Sequence, residues 1–468
     1  MSDTRGLLTR ISGLRQRLDE AHGPLDAARP GPVSDLAEKL EADVTSGTRV
    51  QVLLDGSLRQ IAGLLSGEDS VRPTQLTARA KRLLERGRDI VGRLRQLADD
   101  PVVASHDTDE PLAQGVRRAS AMAESALRLV QAFPDAPSAQ LRLSEGLDGL
   151  LDACDSRIGA LAAAASRRRR DAGQVDALAH LLASLRAGHA MTLDPFTALA
   201  EDVLTDARQG EELRFVAGSD VVARVAAHGV NTARILARLV RYHPEYARYP
   251  VTPVIAGLLH DVGMIGIPVA ALFSPHPLDD DDRRAVEAHA RDGAELVTKQ
   301  VSGAGEIAEA IASHHERLDG TGYPSGRGDL STLAKLLAVA DVYAAQVCDR
   351  PYRGALDPRT ALTDTLMMAE RGELDRAAAG LLLHLGFHPV GSIVELSDGC
   401  VARVVAAHSP AADLHAPARP VVTILIDGRG KVLASPITVD LLASEGRTVV
   451  RTQPAAEWRK RIGDLSCR

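Results

Sequence analysis

Aromatic side chains are scarce in this chain: Phe, Trp and Tyr make up 3% of its 468 residues. Its cores must therefore be filled by branched and small aliphatic groups, and the abundance of Ala and Leu favours helices. Cysteine is also thin, with four residues, Cys154, Cys348, Cys400 and Cys467, far apart from one another. That spacing excludes a thiolate zinc framework and a disulfide scaffold and suits a reducing compartment. The longest apolar run, Leu161 to Ala165, stops at the basic run Arg167 to Arg170. Nothing reaches the roughly 20 apolar residues that span a bilayer, and the opening MSDTRGLLTR has no apolar signal segment. Positive charge is not in excess either. A formal net charge of -7 offers no global field for a polyanion, so any phosphate must be held by local cations or metals. A glycine-rich phosphate loop, a fixed-period repeat and sustained heptads are all missing. These absences predict a cytoplasmic protein with neither DNA nor a membrane among its partners.

What is present is 45% apolar residues on a chain too long for one ordinary core, which predicts two or three domains. Up to about residue 205 the pattern is helical. Leu7, Leu8, Ile11, Leu14 and Leu18 recur at helical spacing, as do the apolar positions of Leu53 to Leu65, Leu76 to Leu97 and Leu141 to Leu161. Gly31-Pro32, Arg72-Pro73, Asp99 to Pro111 and Phe133 to Pro137 break the pattern. This half reads as a sensor, a dimerisation module or a platform, which leaves protein partners and a homodimer open. The arginine run reads as a solvated helix end. The polar stretch Asp202 to Leu213 is a domain boundary, and a second helical domain is expected over 206–386. After Phe387 the texture alternates, with turn signals at Asp398-Gly399 and Asp427-Gly428. That predicts a β module of four or five strands over 387–453, with His388, His408 and His415 on its surface, and a polar tail over 454–468. The predicted fold class is mainly α, followed by a small β module.

Seven of the fifteen histidines fall between His228 and His315. His228, alone on an amphipathic helix, reads as structural. His260 and Asp261 close the apolar run VIAGLL. Such a doublet sets a neutral ligand beside an anionic one that can bridge two cations, although a helix stopped by Gly263 explains it equally well. His289 lies on a further helix, and Asp341 ends another apolar run, where an unpaired buried carboxylate is costly. The stretch HHERLDGTGYP places His314 and His315 side by side, ahead of Glu316, Asp319 and a Gly-Tyr-Pro turn. Several helices that each deliver His or Asp from an apolar face predict an oxygen-and-nitrogen metal site, suited to Fe, Mn, Zn or Co. Two metals there would form a clamp for in-line displacement at phosphorus.

These motifs, His260-Asp261, His289, HHERLDGTGYP over 314–324, Asp341 in ADVY, and DRPYR over 349–353, resemble in order and spacing the HD-GYP domain, a subgroup of the HD metal-dependent phosphohydrolases. The resemblance covers roughly 215–385. It implies an all-helical domain that hydrolyses cyclic di-GMP, or a related cyclic dinucleotide, to linear pGpG or GMP in bacterial second-messenger signalling. It implies two divalent ions, Fe or Mn. His228, His260, Asp261 and Asp341 resemble the ligands of the first, and His289, His314 and His315 those of the second. Asp261 resembles the catalytic bridge that orients the attacking hydroxide. Gly322, Tyr323 and Pro324, with Arg317 and Arg350, are expected to contact substrate. Three departures from the pattern stand out. Met264 occupies the position of the usual phosphate-directed lysine. Arg224 replaces a glutamate that serves a third metal in some members. Ala344 replaces a frequent aspartate. They point to attenuated catalysis. The alternatives are a non-catalytic receptor or scaffold for a dinucleotide or protein partner, and a general nucleotidase.

Overall fold

The computed structural model describes residues 77–104, 111–131, 137–209, 213–268, 279–349, 353–408, 415–444 and 446–453. The helices expected over Leu7 to Leu18 and Leu53 to Leu65, Arg350 and the tail 454–468 lie outside the described residues. The chain divides into two compact units, one comprising its described residues up to Arg169 with Val432–Pro436, the other Arg170–Lys431 and the described part of 437–457.

The first unit is helical. It contains α1 (Ala78–Ala98), α2 (Pro111–Gln131) and the first part of α3 (Pro137–Arg186). Thr77 starts α1 by accepting the Ala80 N–H at 3.3 Å. Leu83, Ile90 and Leu94 of α1 share a core with Val116 and Ala123 of α2 and Leu147 and Leu151 of α3. Along its outer edge Arg79, Arg86 and Arg93 pair with Asp148, Asp152 and Asp155 at 2.7, 2.7 and 2.8 Å. The run Arg167 to Arg170, expected at a helix end, lies inside α3. The helix runs on through Gly173 to Arg186, and Gly188, with a φ of +89°, turns the chain.

The second unit is built from the last part of α3, α4 (Asp194–Arg208), α5 (Val221–Leu239), α6 (Val251–Leu259), α7 (Asp280–Gln300), α8 (Gly305–Ser313), α9 (Thr332–Val347), α10 (Pro358–Glu370) and α11 (Arg376–Gly380). Leu178, Leu182 and Leu185 of α3 and Phe196 of α4 are buried in the same core as Ile235, Leu259, Ile311 and Leu337. Side-chain caps set the helix starts. Asp220, Asp279, Ser331 and Asp357 accept the N–H groups of Ala223, Asp282, Ala334 and Thr360 at 3.0, 2.8, 3.2 and 3.2 Å.

A five-stranded sheet follows: β1 (Ile393–Leu396), β2 (Val401–Ala406), β3 (Val421–Ile426), β4 (Val432–Asp440) and β5 (Val449–Gln453), in the order β4-β3-β2-β1-β5. The turns expected at Asp398-Gly399 and after Asp427 join β1 to β2 and β3 to β4, with Gly399 and Gly430 at φ +78° and +80°. β5 returns antiparallel to β1, pairing Ile393 with Gln453. The fold is thus mainly α with a small β module. His388, expected on the surface, is 2% exposed, and its Nδ1 lies 2.9 Å from Thr452 Oγ1 on β5. It precedes the first strand, where the alternation of strand faces gives no guidance on burial. None of the described helices is long and apolar enough to cross a membrane.

Candidate metal centre

Five helices of the second unit converge on one polar point in an otherwise apolar core. α5 carries His228, and α6 ends at His260, with Asp261 next in the chain. α7 carries His289, α8 ends at His314 and His315, and Asp341 lies on α9. Glycines bring two of these helices close. A Cβ on Gly229, next to His228, would stand 2.7 Å from the Leu258 carbonyl oxygen, and one on Gly257 would stand 3.0 Å from Ala233 Cα. α5 and α6 therefore meet backbone to backbone, which sets His228 beside His260 with ring centroids 5.1 Å apart.

Three overlapping groups have ligand atoms that all lie within 4.8 Å of one another: Asp261, His289, His314 and His315; His228, His260 and Asp261; and His260, His314 and Asp341. Asp261 belongs to two of them through different oxygens. Its Oδ2 lies 3.7 Å from His228 Nε2 and 3.5 Å from His260 Nε2. Its Oδ1 lies 3.2 Å from His289 Nε2 and 3.8 Å from His314 Nε2. Asp341 Oδ1 approaches His228 Nε2 at 2.8 Å and His260 Nε2 at 3.6 Å. The structure brings together all seven residues singled out as ligands, His228 included.

The far nitrogens of three rings are tied to the turn behind them. His260 Nδ1 pairs with the Gly257 carbonyl at 2.9 Å, His314 Nδ1 with that of Ile311 at 2.6 Å, and His289 Nδ1 with that of Val286. Each ring thus turns Nδ1 to a backbone carbonyl and Nε2 to the centre, which is how a ligating imidazole is oriented. His260 Nε2 is buried without a hydrogen-bond partner, and its two carboxylate neighbours are too distant for a good one. A buried polar atom of that kind needs a partner, and for a lone pair that is a donor or a cation. A divalent cation between imidazoles and carboxylates fits this donor set.

Charges in the centre are strongly coupled. Burial opposes charge on His260, yet Asp261 and Asp341 beside it hold its proton up to about 9. Burial likewise opposes charge on Asp261, but His260, His289 and His314 keep it well below the usual carboxylate range. Asp341 is held down in the same way by His228 and His260. Burial lowers His314 and, together with His314, lowers His315 further.

The Gly-Tyr-Pro loop closes one side. Tyr323 stacks on His315 with ring centroids 4.6 Å apart, and its N–H donates to the His315 carbonyl at 3.2 Å. A Cβ on Gly322 would stand 2.3 Å from Arg317 N, so only glycine permits this fold of the loop. Arg317 donates through Nη1 to the carbonyls of Glu316 and His314 at 2.9 and 3.3 Å. Arg353 of the DRPYR segment donates to the carbonyls of Ala345 and Gln346 at 2.9 and 3.4 Å, at the C-terminal end of α9. Met264 packs half-buried against the core. Sequence reasoning gave no role to Glu316, which is 1% exposed and accepts the N–H groups of Ser325 and Arg327 at 2.7 and 3.1 Å. Its place directly after the histidine pair was the available signal.

The HD domain family matches residues 222–378, and the KOW domain associated with HD domain matches 393–460. A cyclic di-GMP phosphodiesterase of Pseudomonas aeruginosa is 30% identical over 295 residues, covering 56% of this chain and 69% of that protein. A 3'3'-cGAMP-specific phosphodiesterase of Vibrio cholerae is 41% identical over 109 residues, 23% of this chain and 24% of the relative. A cyclic di-GMP phosphodiesterase response regulator of Xanthomonas campestris pv. campestris is 39% identical over 123 residues, 26% of this chain and 32% of the relative. The chain thus spans most of the first relative and a third or less of the other two. Among solved structures, a HDG"Y"P protein of Bdellovibrio bacteriovorus is similar at a TM-score of 0.36 and 17% identity, over 45% of this chain and 68% of that one. Because the HD match spans every ligand-bearing helix and the Pseudomonas relative is matched over most of its own length, the chain belongs to the HD-GYP family of HD-domain proteins.

Proposed function

We propose that this protein is a metal-dependent phosphodiesterase that opens cyclic di-GMP, or the related 3'3'-cGAMP, to a linear dinucleotide and onward to mononucleotides. The observation that carries the reading is Asp261, whose two oxygens face two separate imidazole sets. His228, His260, Asp261 and Asp341 would hold one divalent ion, and Asp261, His289, His314 and His315 a second. Iron or manganese suits this donor set of imidazole and carboxylate without thiolate. Such ions supply an activated water for in-line attack on phosphorus and neutralise charge on the phosphoryl oxygens.

The chain's own part is orientation. The Nδ1 contacts of His260, His289 and His314 lock their Nε2 atoms on the centre. Asp261 holds the two halves of the site in register. Gly322, Tyr323 and Pro324 shape the substrate cleft, with Tyr323 seated on His315 and Arg317 beside it; Arg350 is the further guanidinium assigned to substrate. Met264 brings no cation where the usual family pattern has lysine, so turnover is expected to be slow.

The test is protein purified without oxygen, loaded with Fe(II) or Mn(II), and incubated with either cyclic dinucleotide. Products are separated by chromatography and metal content is measured alongside. A linear dinucleotide or mononucleotide is expected from the wild type and none from Asp261→Ala, which should also lose metal. Intact substrate after incubation of fully metal-loaded wild type would sink the reading in favour of a receptor.

A further inference from the structure

Where the helices of the second unit meet its sheet there is a cavity of about 540 Å³. Among the described residues its polar and aromatic lining comes from Arg359, Phe387, His388, His415, Arg419 and Thr448. None of these belongs to the metal centre. They come from four separate segments: the first turn of α10, the link ahead of β1, the turn around Ala416–Ala418, and the start of β5. We propose that this cavity is a binding site for a phosphate-bearing mononucleotide, with Arg359 and Arg419 on the phosphate and Phe387 against the base.

Charge is the first argument. Neither Arg359 nor Arg419 makes an ion pair among the described residues, unlike Arg214 and Arg234, which share Asp171. The carboxylate nearest in sequence, Asp357, is engaged in capping α10, where it accepts from Thr360 N and Oγ1. Two guanidiniums from distant segments line one cavity, and neither is ion-paired among the described residues; they favour an anion that can take several N–H donors at once, and phosphate is the closest match.

Shape is the second argument. The volume falls in the range of small-ligand sites. Phe387 is half-buried, packs against the helical core and lines the cavity. A fixed aromatic wall beside a phosphate contact is the arrangement that takes a base. His388 also lines the cavity. It is 2% exposed and its Nδ1 is taken by Thr452, so it anchors the wall to β5.

The experiment is calorimetric titration of the full chain carrying Asp261→Ala, in which the metal centre is disabled and the cavity untouched, with GMP, guanosine and inorganic phosphate. GMP is expected to bind at one site, more tightly than guanosine or phosphate by about tenfold or more. Adding Arg359→Ala and Arg419→Ala should weaken GMP by about tenfold for each guanidinium removed. Both side chains are at least partly exposed, so the fold should survive, and turnover of cyclic di-GMP in the otherwise wild-type double variant should be unchanged. Hydrogen exchange in the unaltered cavity gives a readout independent of the variants: GMP should protect the segments around Arg359 and Arg419. Unchanged GMP affinity in the arginine variants, protection confined to the metal-bearing helices, or phosphate binding as tightly as GMP would each overturn the assignment. Turnover of the cyclic dinucleotide is scored separately, so failure of the cavity leaves the catalytic reading standing, and the reverse.

Discussion

A Cβ at Gly263, two residues beyond Asp261, would stand 2.1 Å from the His289 carbonyl oxygen. The chain leaving the His-Asp doublet therefore lies directly against the backbone of α7, and that approach sets Asp261 Oδ1 3.2 Å from His289 Nε2. The glycine adopts no left-handed φ, so its role is close approach rather than helix termination. Gly263→Ala must push α7 away. The expected result is a stability loss of about 1–3 kcal/mol, as for overpacking in a core, with loss of the metal held by His289. Urea unfolding and metal analysis check both. His260 gives a second expectation. Without a cation its proton is held to about 9 by Asp261 and Asp341, and only the neutral ring can ligate. Below that pH a metal must displace the proton, so affinity should rise with pH and level off near 9. Titration of Mn(II) in two buffers of different ionisation enthalpy should reveal proton release at neutral pH, and a buffer-independent heat would contradict it.

At the scale of elements, the loop that carries Gly322 to Pro324 is held by one buried carboxylate. Glu316 accepts from Ser325 and Arg327, so Glu316→Gln leaves one of those N–H groups facing an amide donor. The expected cost is about 1–3 kcal/mol, and turnover should fall because Tyr323 loses its seat on His315. Steady-state kinetics with cyclic di-GMP checks this, and a variant with wild-type kcat and KM would mean that the loop does not shape the site. The junction of helices and sheet responds to acid through His388. Burial, with Arg359 nearby, lowers this imidazole from 6.5 to about 4. The unfolded chain takes up the proton below about 6.5, while the folded chain does so only near 4. Stability from this group therefore falls as pH falls through that window, by up to about 1.4 kcal/mol per pH unit. His388→Gln keeps a partner for Thr452 and should lack this slope when urea midpoints at about pH 7 and about pH 5 are compared.

Across the whole molecule, the groups at the centre were legible because each interrupts an apolar helical run. His260 and Asp261 follow VIAGLL, and Asp341 sits in LLAVAD. A polar group at such a place must meet a partner, and the clustering of histidines supplied it. Packing between distant segments was not legible. Nothing in the spacing of Leu178, Leu182 and Leu185 says that they share a core with Leu337, and His388 carried no strand pattern to reveal its burial. Gly229 and Gly257 were silent for the same reason, since close approach is a property of two helices. This distinction bears on stability. His228 and Asp341 are 113 positions apart, and the seven groups lie on or next to five helices, so ions held by them would cross-link segments that the chain itself joins only through long paths. Each site filled to about 100 times its dissociation constant adds about 2.7 kcal/mol to folding. For a unit of this size that raises Tm by about 5 °C or more. The wild type loaded with Mn(II) should therefore melt higher than the same protein in excess chelator, and Asp261→Ala should melt alike in both. Equal melting of the wild type in metal and chelator would mean that these residues are packed as a hydrogen-bonded polar cluster and hold no ion.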